Sequence, residues 1–189
     1  MKKTITAIAF CLATITGYSQ RVHWGLKAGL NISDIEANGP AILNSRLGFH
    51  GGGLAHIHMS KHFAVQPEVV YSNQGADIDI SDEKYKLGYI NVPVMFQYMF
   101  NNGVRLQTGP QAGFLIKATR DDGEDETDIK DNFKTFDFAW SFGLGYITKS
   151  RLGIDARYNL GLTDFTENPA LKYQNRVFQI GLFYQFKHR

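Results

Sequence analysis

Residues 152–162 read LGIDARYNLGL, and every second residue from Leu152 to Leu162 is apolar. A period of two is typical of a β-strand with one apolar face, because successive side chains of a strand point to opposite sides. The other phase carries glycine together with Asp155, Arg157 and Asn159. The stretch therefore predicts a strand that separates an apolar environment from a polar one.

Six further segments repeat this alternation, and no position of their apolar phases is charged. They lie at residues 24–32, 63–71, 90–98, 104–118, 136–146 and 178–186. An eighth strand is predicted at residues 46–58, around the run Gly51-Gly52-Gly53. Its phase is ambiguous, since Leu47 and Phe49 share one face whereas Leu54 falls on the other, and we expect a β-bulge at the glycines.

The composition of the polar phase decides which way the strands face. It is mostly glycine, glutamine, asparagine and small residues, including Gly109, Gly143, Gln107 and Gln111. Glycine is a poor choice for a strand face in water, but it suits the interior of a narrow barrel where side chains converge. The apolar phase then faces lipid, which predicts an all-β, eight-stranded antiparallel up-and-down transmembrane β-barrel. A soluble sandwich or lipocalin-like barrel would place the polar phase in water instead.

The connections between the predicted strands alternate in length. Long connections are predicted at residues 34–45, 79–86, 121–134 and 165–174, and short ones at residues 59–61, 101–103 and 149–151. Asn101-Asn102-Gly103 is a strong tight-turn signal. Outer-membrane barrels have short periplasmic turns and longer external loops, so this alternation places both termini in the periplasm.

Residues 1–19 have the features of a secretory signal peptide. Lys2 and Lys3 precede an apolar stretch, and small residues at 17 and 19 suit cleavage before Gln20. The barrel domain is then residues 20–189. The single cysteine, Cys11, lies in the signal, so the mature chain has no disulfide or thiolate site. Without Lys2 and Lys3, 18 basic residues face 18 acidic ones, and no basic surplus indicates nucleic-acid binding.

Several stretches together resemble the PorT-type outer-membrane β-barrel family. They are GLKAGLN at 25–31, QPEVVYS at 66–72, YINVP at 89–93, TGPQAGF at 108–114 and DARYNLGL at 155–162. The resemblance implies an outer-membrane location and an eight-stranded barrel. The last strand, with alternating aromatics ending on Phe186, is similar to the C-terminal signal that the barrel-assembly machinery reads. Three residues follow Phe186 here, which departs from that signal. The expected partners are this machinery and outer-membrane lipid.

No catalytic motif is present, and we predict neither a catalytic residue nor a metal ligand nor a cofactor. His56 and His58 share a strand face, but no third metal ligand is identifiable. The predicted loops 34–45, 79–86 and 121–134 contain no histidine, which argues against a lipid hydrolase with a histidine base at the outer rim. The acidic run at residues 121–131 is interpreted as a solvated loop, because its spacing differs from that of a calcium loop.

Four charged residues are predicted to lie inside the barrel at similar depth: Lys27, Glu68, Asp155 and Arg157. Two bases and two acids sum to zero, as charges in a dry interior must. We expect a hydrogen-bonded cluster that plugs the lumen; the alternative is that each charge is solvated in a wet lumen. The sequence thus predicts a non-enzymatic outer-membrane barrel with a structural or binding role. Its alternatives are a secreted lipocalin-like barrel that binds a small apolar ligand and an outer-membrane lipid-modifying enzyme.

Overall fold

The computed structural model describes residues 22–37, 43–78, 84–123, 125–166 and 173–187; the signal peptide predicted at 1–19 lies outside them. The described residues form nine strands: β1 (Val22–Ala37), β2 (Leu43–His58), β3 (Phe63–Ile78), β4 (Lys84–Met99), β5 (Val104–Asp121), β6 (Glu126–Asp128), β7 (Phe136–Ile147), β8 (Leu152–Gly161) and β9 (Tyr173–Gln185). A 3₁₀ turn spans Lys130–Asn132. Within the described residues, no helix has the length and apolarity that crossing a membrane would take.

Eight of these strands form one closed antiparallel barrel. Each pairs with its neighbours in the chain, β5 pairs directly with β7, and β1 closes the barrel on β9 from Gly25 opposite Gln185 to Ala37 opposite Tyr173. The short β6 is an extra strand that pairs only with the end of β5. Closure leaves the eight barrel strands without an open sheet edge. The predicted eight-stranded antiparallel β-barrel is confirmed.

The connections alternate between the two ends of the barrel. The turns at residues 59–62, 100–103 and 148–151 are short and share one end, which we call the short-turn end. In the predicted tight turn, Gly103 has φ +94°, a left-handed conformation that glycine adopts freely. At the opposite, long-loop end the strands run further than predicted, since β1 continues to Ala37 and β9 already begins at Tyr173.

The outer surface is apolar and carries two belts of aromatic side chains. Phe136 and Tyr146 on β7 both point outward, and they lie ten residues apart near opposite ends of the strand. A tilted strand needs about 9–11 residues to cross a bilayer. The short-turn belt includes Phe63, Tyr98, Phe100, Tyr184 and Phe186, and the long-loop belt includes Phe49, Tyr71, Phe114 and Phe136.

The predicted bulge at Gly51–Gly53 is wrong. These glycines pair in continuous register with both β1 and β3, and the irregularity lies instead between Ser45 and His50. Leu54 needs no bulge to account for it, because it keeps the inward phase and is buried within the barrel. An apolar side chain in the lumen is what made the phase of this strand ambiguous.

A second irregularity reverses the phase near the end of β5. The register with β4 shifts between Gly88 and Tyr89, so that Leu115 and Ala118 are both buried although Ile116 between them is exposed. Ala118 was assigned to the apolar outer phase, and this assignment is wrong. One extra residue in a strand turns every later side chain to the other face.

Candidate functional site

The four charged residues predicted for the lumen lie together at its centre, and we call them the central charge cluster. The Arg157 guanidinium donates from Nη1 to Glu68 Oε2 at 2.8 Å and from Nη2 to Glu68 Oε1 at 2.6 Å. Lys27 Nζ lies 3.1 Å from Asp155 Oδ2 and 3.4 Å from Glu68 Oε2. Arg157 Nη2 is also 3.0 Å from Asp155 Oδ2. Each base therefore meets both acids, and all four side chains are buried.

The pair of Glu68 and Arg157 crosses the full width of the barrel. Glu68 is on β3 and Arg157 is on β8, and four strand steps separate β3 from β8 in either direction around the barrel. A two-pronged arginine–carboxylate pair is a short, charge-assisted contact with fixed geometry. It spans the lumen at its centre, which no contact between neighbouring strands could do.

Neutral side chains complete the surroundings of this pair. Gln66 donates to Glu68 Oε1 at 2.7 Å, and Gln107 accepts from Arg157 Nη2 at 3.1 Å. Gly143 leaves room for the side chains of Arg157 and Gln107, because a Cβ there would lie 2.9 Å from Arg157 Cγ and 3.0 Å from Gln107 Cγ. The glycines and glutamines of the polar phase thus surround the charges in the lumen.

A fifth charged residue, Arg105, was missed by the sequence analysis. It is 4% exposed and lies near the short-turn end, where its guanidinium carbon is 5.2 Å from the centre of the Phe183 ring. Its only hydrogen bond among the described residues is a long one of 3.4 Å to Gln97. The signal was available, since Arg105 stands between the outward residues Val104 and Leu106 and so belongs to the inward phase.

The lumen is apolar at the long-loop end, in a cluster that we call the apolar cap. Its buried members are Ile35, Ala76, Leu87, Tyr89, Leu115, Ala118 and Phe165. Phe165 comes from the connection between β8 and β9, and its backbone bonds to Lys134 and Tyr173. Thr163 in the same connection donates to the buried Asp137 at 2.7 Å. The connection after β8 therefore packs into the apolar cap, and it is hydrogen-bonded to the connection after β5.

A histidine, an asparagine and a serine meet between the cap and the charge cluster. His50 Nδ1 is 2.8 Å from Asn31 Oδ1, and Asn31 Nδ2 donates to Ser72 Oγ at 2.9 Å. The asparagine stands between the other two, so this is not a serine activated directly by a histidine base. All three side chains are at most 2% exposed. A lipid in the surrounding membrane has no access to them.

The histidines at the short-turn end lie close to one another. The rings of His56 and His58 have centroids 4.6 Å apart, and those of His23 and His58 are 5.4 Å apart. His56 Nδ1 is 3.1 Å from Gln66 Oε1, and Arg151 approaches His23 Nδ1 at 3.2 Å. Among the described residues, no group of three or more His, Cys, Asp or Glu side chains has an arrangement that could hold a metal ion.

Part of the acidic run at 121–131 is ion-paired with Lys86 of β4. Lys86 Nζ lies 2.5 Å from both Asp121 Oδ2 and Glu126 Oε1, where the β5–β6 hairpin stands beside the end of β4. This ammonium holds the pKa of both carboxyls below their usual ranges. The acidic run is thus partly an ion-paired hairpin rather than the free solvated loop that the sequence indicated.

The distribution of polarity contradicts the lipocalin-like alternative. A soluble barrel with an apolar ligand needs a polar exterior and an apolar lumen. Here the exposed large side chains of the strands are apolar, for example Leu26, Leu144 and Ile180, whereas charges and amides fill the middle of the lumen. The exterior has the polarity of a surface in contact with lipid.

Comparisons with known proteins agree with this architecture. Residues 16–167 match the model of a family described as the outer membrane protein beta-barrel domain. Neisserial surface protein A has a similar structure, with a TM-score of 0.62 at 15% identity over 86% of this chain and 97% of its own. So does Ail, the attachment invasion locus protein of Yersinia pestis, at 0.55 and 17% over 87% of this chain and 98% of its own. No curated protein matches the sequence significantly.

Proposed function

Since the chain belongs to the outer membrane protein beta-barrel domain family and is an integral outer-membrane barrel, we propose that it is a closed barrel with a structural or binding role. In this proposal the lumen conducts no ions, and the protein carries out no catalysis. Within the family we assign it to the PorT-type barrels, on the sequence stretches that carry that resemblance.

The contact between Glu68 and Arg157 across the barrel carries the proposal of a closed lumen. The interior of an eight-stranded barrel is narrow enough for side chains to fill it. Here a bidentate ion pair, with hydrogen bonds of 2.6 and 2.8 Å, bridges the interior from β3 to β8. Lys27 and Asp155 pack against it. The apolar cap supports the same conclusion, because it covers the long-loop end with buried side chains.

Ion conductance of the purified barrel in planar bilayers tests this proposal. We expect no sustained current through the wild-type protein. A double variant, Glu68→Ala with Arg157→Ala, removes the crossing pair without leaving an unpaired charge, and a further Phe165→Ala change loosens the cap. We expect current first in the triple variant, since the double variant still has its cap. A steady wild-type current would contradict the closed lumen.

The orientation and the export of the chain are part of the proposal. We place the signal peptide at residues 1–19, both termini and the short-turn end in the periplasm, and the apolar cap outside the cell. Assembly would use the barrel-assembly machinery, which would read the last strand up to Phe186. The outward alternation of Phe178, Ile180, Leu182 and Tyr184 on β9 supports this, since it presents a continuous apolar face to lipid.

Proteolysis of intact cells tests the orientation. A protease added outside should cut within residues 121–134 and leave the turns at 100–103 and 148–151 intact, because only the long-loop end should be accessible. Cell lysis is the control, after which the short turns become accessible as well. Cleavage at 100–103 in intact cells would show that the barrel is inserted the other way round.

A further inference from the structure

The buried charges near the short-turn end do not balance. Lys27, Arg105 and Arg157 are three bases, and they face only two acids, Glu68 and Asp155. Asp155 already contacts two of the bases, and Glu68 contacts the same two. Arg105 has no carboxylate within 4 Å among the described residues. A surplus of one positive charge is therefore buried at this level of the lumen.

No other side chain among the described residues of the lumen removes this surplus. The remaining buried carboxylate there, Asp137, is paired in register with Gly113, whereas Arg105 is paired with Gly145. The two positions are eight residues apart along β7, which is roughly 25 Å of strand. The nearby histidines can only add positive charge if they are protonated. The compensation has to come from a group outside this set of side chains.

Toward the short-turn end of the lumen, several buried hydrogen-bond donors are unsatisfied. Arg105 Nε, Gln107 Nε2 and Gln185 Nε2 are buried and have no hydrogen-bond partner. Each of these residues is 4% exposed, and their strands are at their short-turn ends here. A buried donor without an acceptor is unfavourable. A negatively charged acceptor would satisfy the donors and the excess charge together.

Two features position the arginine for such an acceptor. A Cβ on Gly145 would lie 3.1 Å from Arg105 Cγ, so the glycine gives the arginine stem its place against the wall. The Phe183 ring supports the guanidinium on one face. The aliphatic part of Arg105 and one face of its guanidinium are thus held by packing, while the Nε hydrogen remains available to an acceptor.

We propose that the short-turn end of the lumen is a binding site for one small inorganic anion of chloride size, held by Arg105 with Gln185 and Gln107. A single negative charge matches a surplus of one. We take the anion to be small because all three side chains are only 4% exposed. The proposal does not depend on the role or orientation assigned to the barrel.

Equilibrium urea unfolding in phospholipid vesicles tests the site. Chloride is varied against gluconate at constant ionic strength, because gluconate is too large for the site. A ligand that binds only the folded state raises the folding equilibrium constant up to tenfold for each tenfold increase in concentration above its dissociation constant. We expect this dependence for the wild type and its loss in Arg105→Met. Lys61→Met, which removes an exposed base at the same end, should keep it.

Arg105→Met and the wild type should also differ in stability when chloride is absent. In gluconate, Arg105→Met should be at least as stable as the wild type, because it removes a charge that has no counter-ion. An equal chloride dependence in Arg105→Met and wild type, or none in the wild type, would overturn the proposal. So would a large loss of stability of Arg105→Met in gluconate.

A direct measurement covers the case in which Arg105→Met does not fold. Wild-type crystals grown with bromide should give an anomalous peak within hydrogen-bonding distance of the Arg105 guanidinium. Peaks on the outer surface alone would mean an adventitious ion only, and would overturn the site.

Discussion

Two buried clusters fill different parts of the lumen, charges at its centre and apolar side chains at its long-loop end. The central charge cluster joins residues of three strands by ion pairs, and all of its members are part of the barrel wall. The apolar cap instead adds Phe165 from a connection to residues of the wall such as Leu87 and Leu115. We therefore expect the first to be lost only when the barrel unfolds, and the second to open when one connection moves.

Removal of one charge from the cluster should have the largest effect on stability. Glu68→Ala leaves Arg157 without its main partner in a buried site, which typically costs about 3–5 kcal/mol. Urea unfolding in vesicles measures this loss. The matched control is the double variant Glu68→Leu with Arg157→Leu, which removes one charge of each sign and should recover most of the stability. A similar loss in both would contradict the view that pairing is what matters.

The difference between the two regions also explains what the sequence could predict. Lys27, Glu68, Asp155 and Arg157 lie on the polar phase of regularly alternating strands, so their inward position follows from counting along each strand. Arg105 obeys the same rule. Counting along the strand does not place the residues of the cap, because Ala118 follows an irregularity in β5 that the pattern of apolar residues conceals. Phe165 belongs to a connection, and nothing in its local sequence shows that it folds back over the barrel.

An arginine placed on the outer surface should have the next largest effect. Arg157 is stable in the lumen because two acids meet it, whereas Ile180 at mid-depth faces outward, where lipid offers no partner. Ile180→Arg should cost about 2–4 kcal/mol, again by urea unfolding in vesicles. Leu152→Arg, at the short-turn end of β8, should cost about 1 kcal/mol or less. Equal costs at the two depths would show that the outward face has been wrongly placed in the bilayer.

A substitution in the apolar cap should affect the opening of the cap, whereas one in the central charge cluster should affect unfolding of the whole barrel. Phe165→Ala removes a fully buried ring and should lower the free energy of opening the cap by about 3 kcal/mol, the low end for such a change in a core. Proteolysis within residues 162–172 of the vesicle-bound protein should then be faster, while urea unfolding of the barrel changes little. Phe136→Ala, an exposed ring at the same end, is the control. Global unfolding as large as that of Glu68→Ala would remove the distinction between the two regions.

The smallest expected effect is a dependence of the cap connection on pH, set by Asp164. Its Oδ1 accepts from the backbone N–H groups of Thr166 at 3.1 Å and Tyr173 at 3.0 Å, and Lys134 lies 3.5 Å from Oδ2. Desolvation opposes ionisation of this carboxyl, but the two N–H groups and Lys134 outweigh it and hold its pKa below the ordinary 3.8.

A lowered pKa in the folded protein means that the ionised carboxylate stabilises the connection. The contribution is fully present above about pH 4, near the unfolded value, and it is lost as the pH falls through the lower folded value. Hydrogen exchange of the Thr166 and Tyr173 amides, corrected for the intrinsic effect of pH, should therefore accelerate only below pH 4. Asp164→Asn should exchange faster than the wild type above pH 4, approach it at lower pH and lack this transition. The central charge cluster should be unaffected in Asp164→Asn, because its acids and bases are all inside the barrel; a drop in global stability of that variant would mean that the cap and the cluster are coupled.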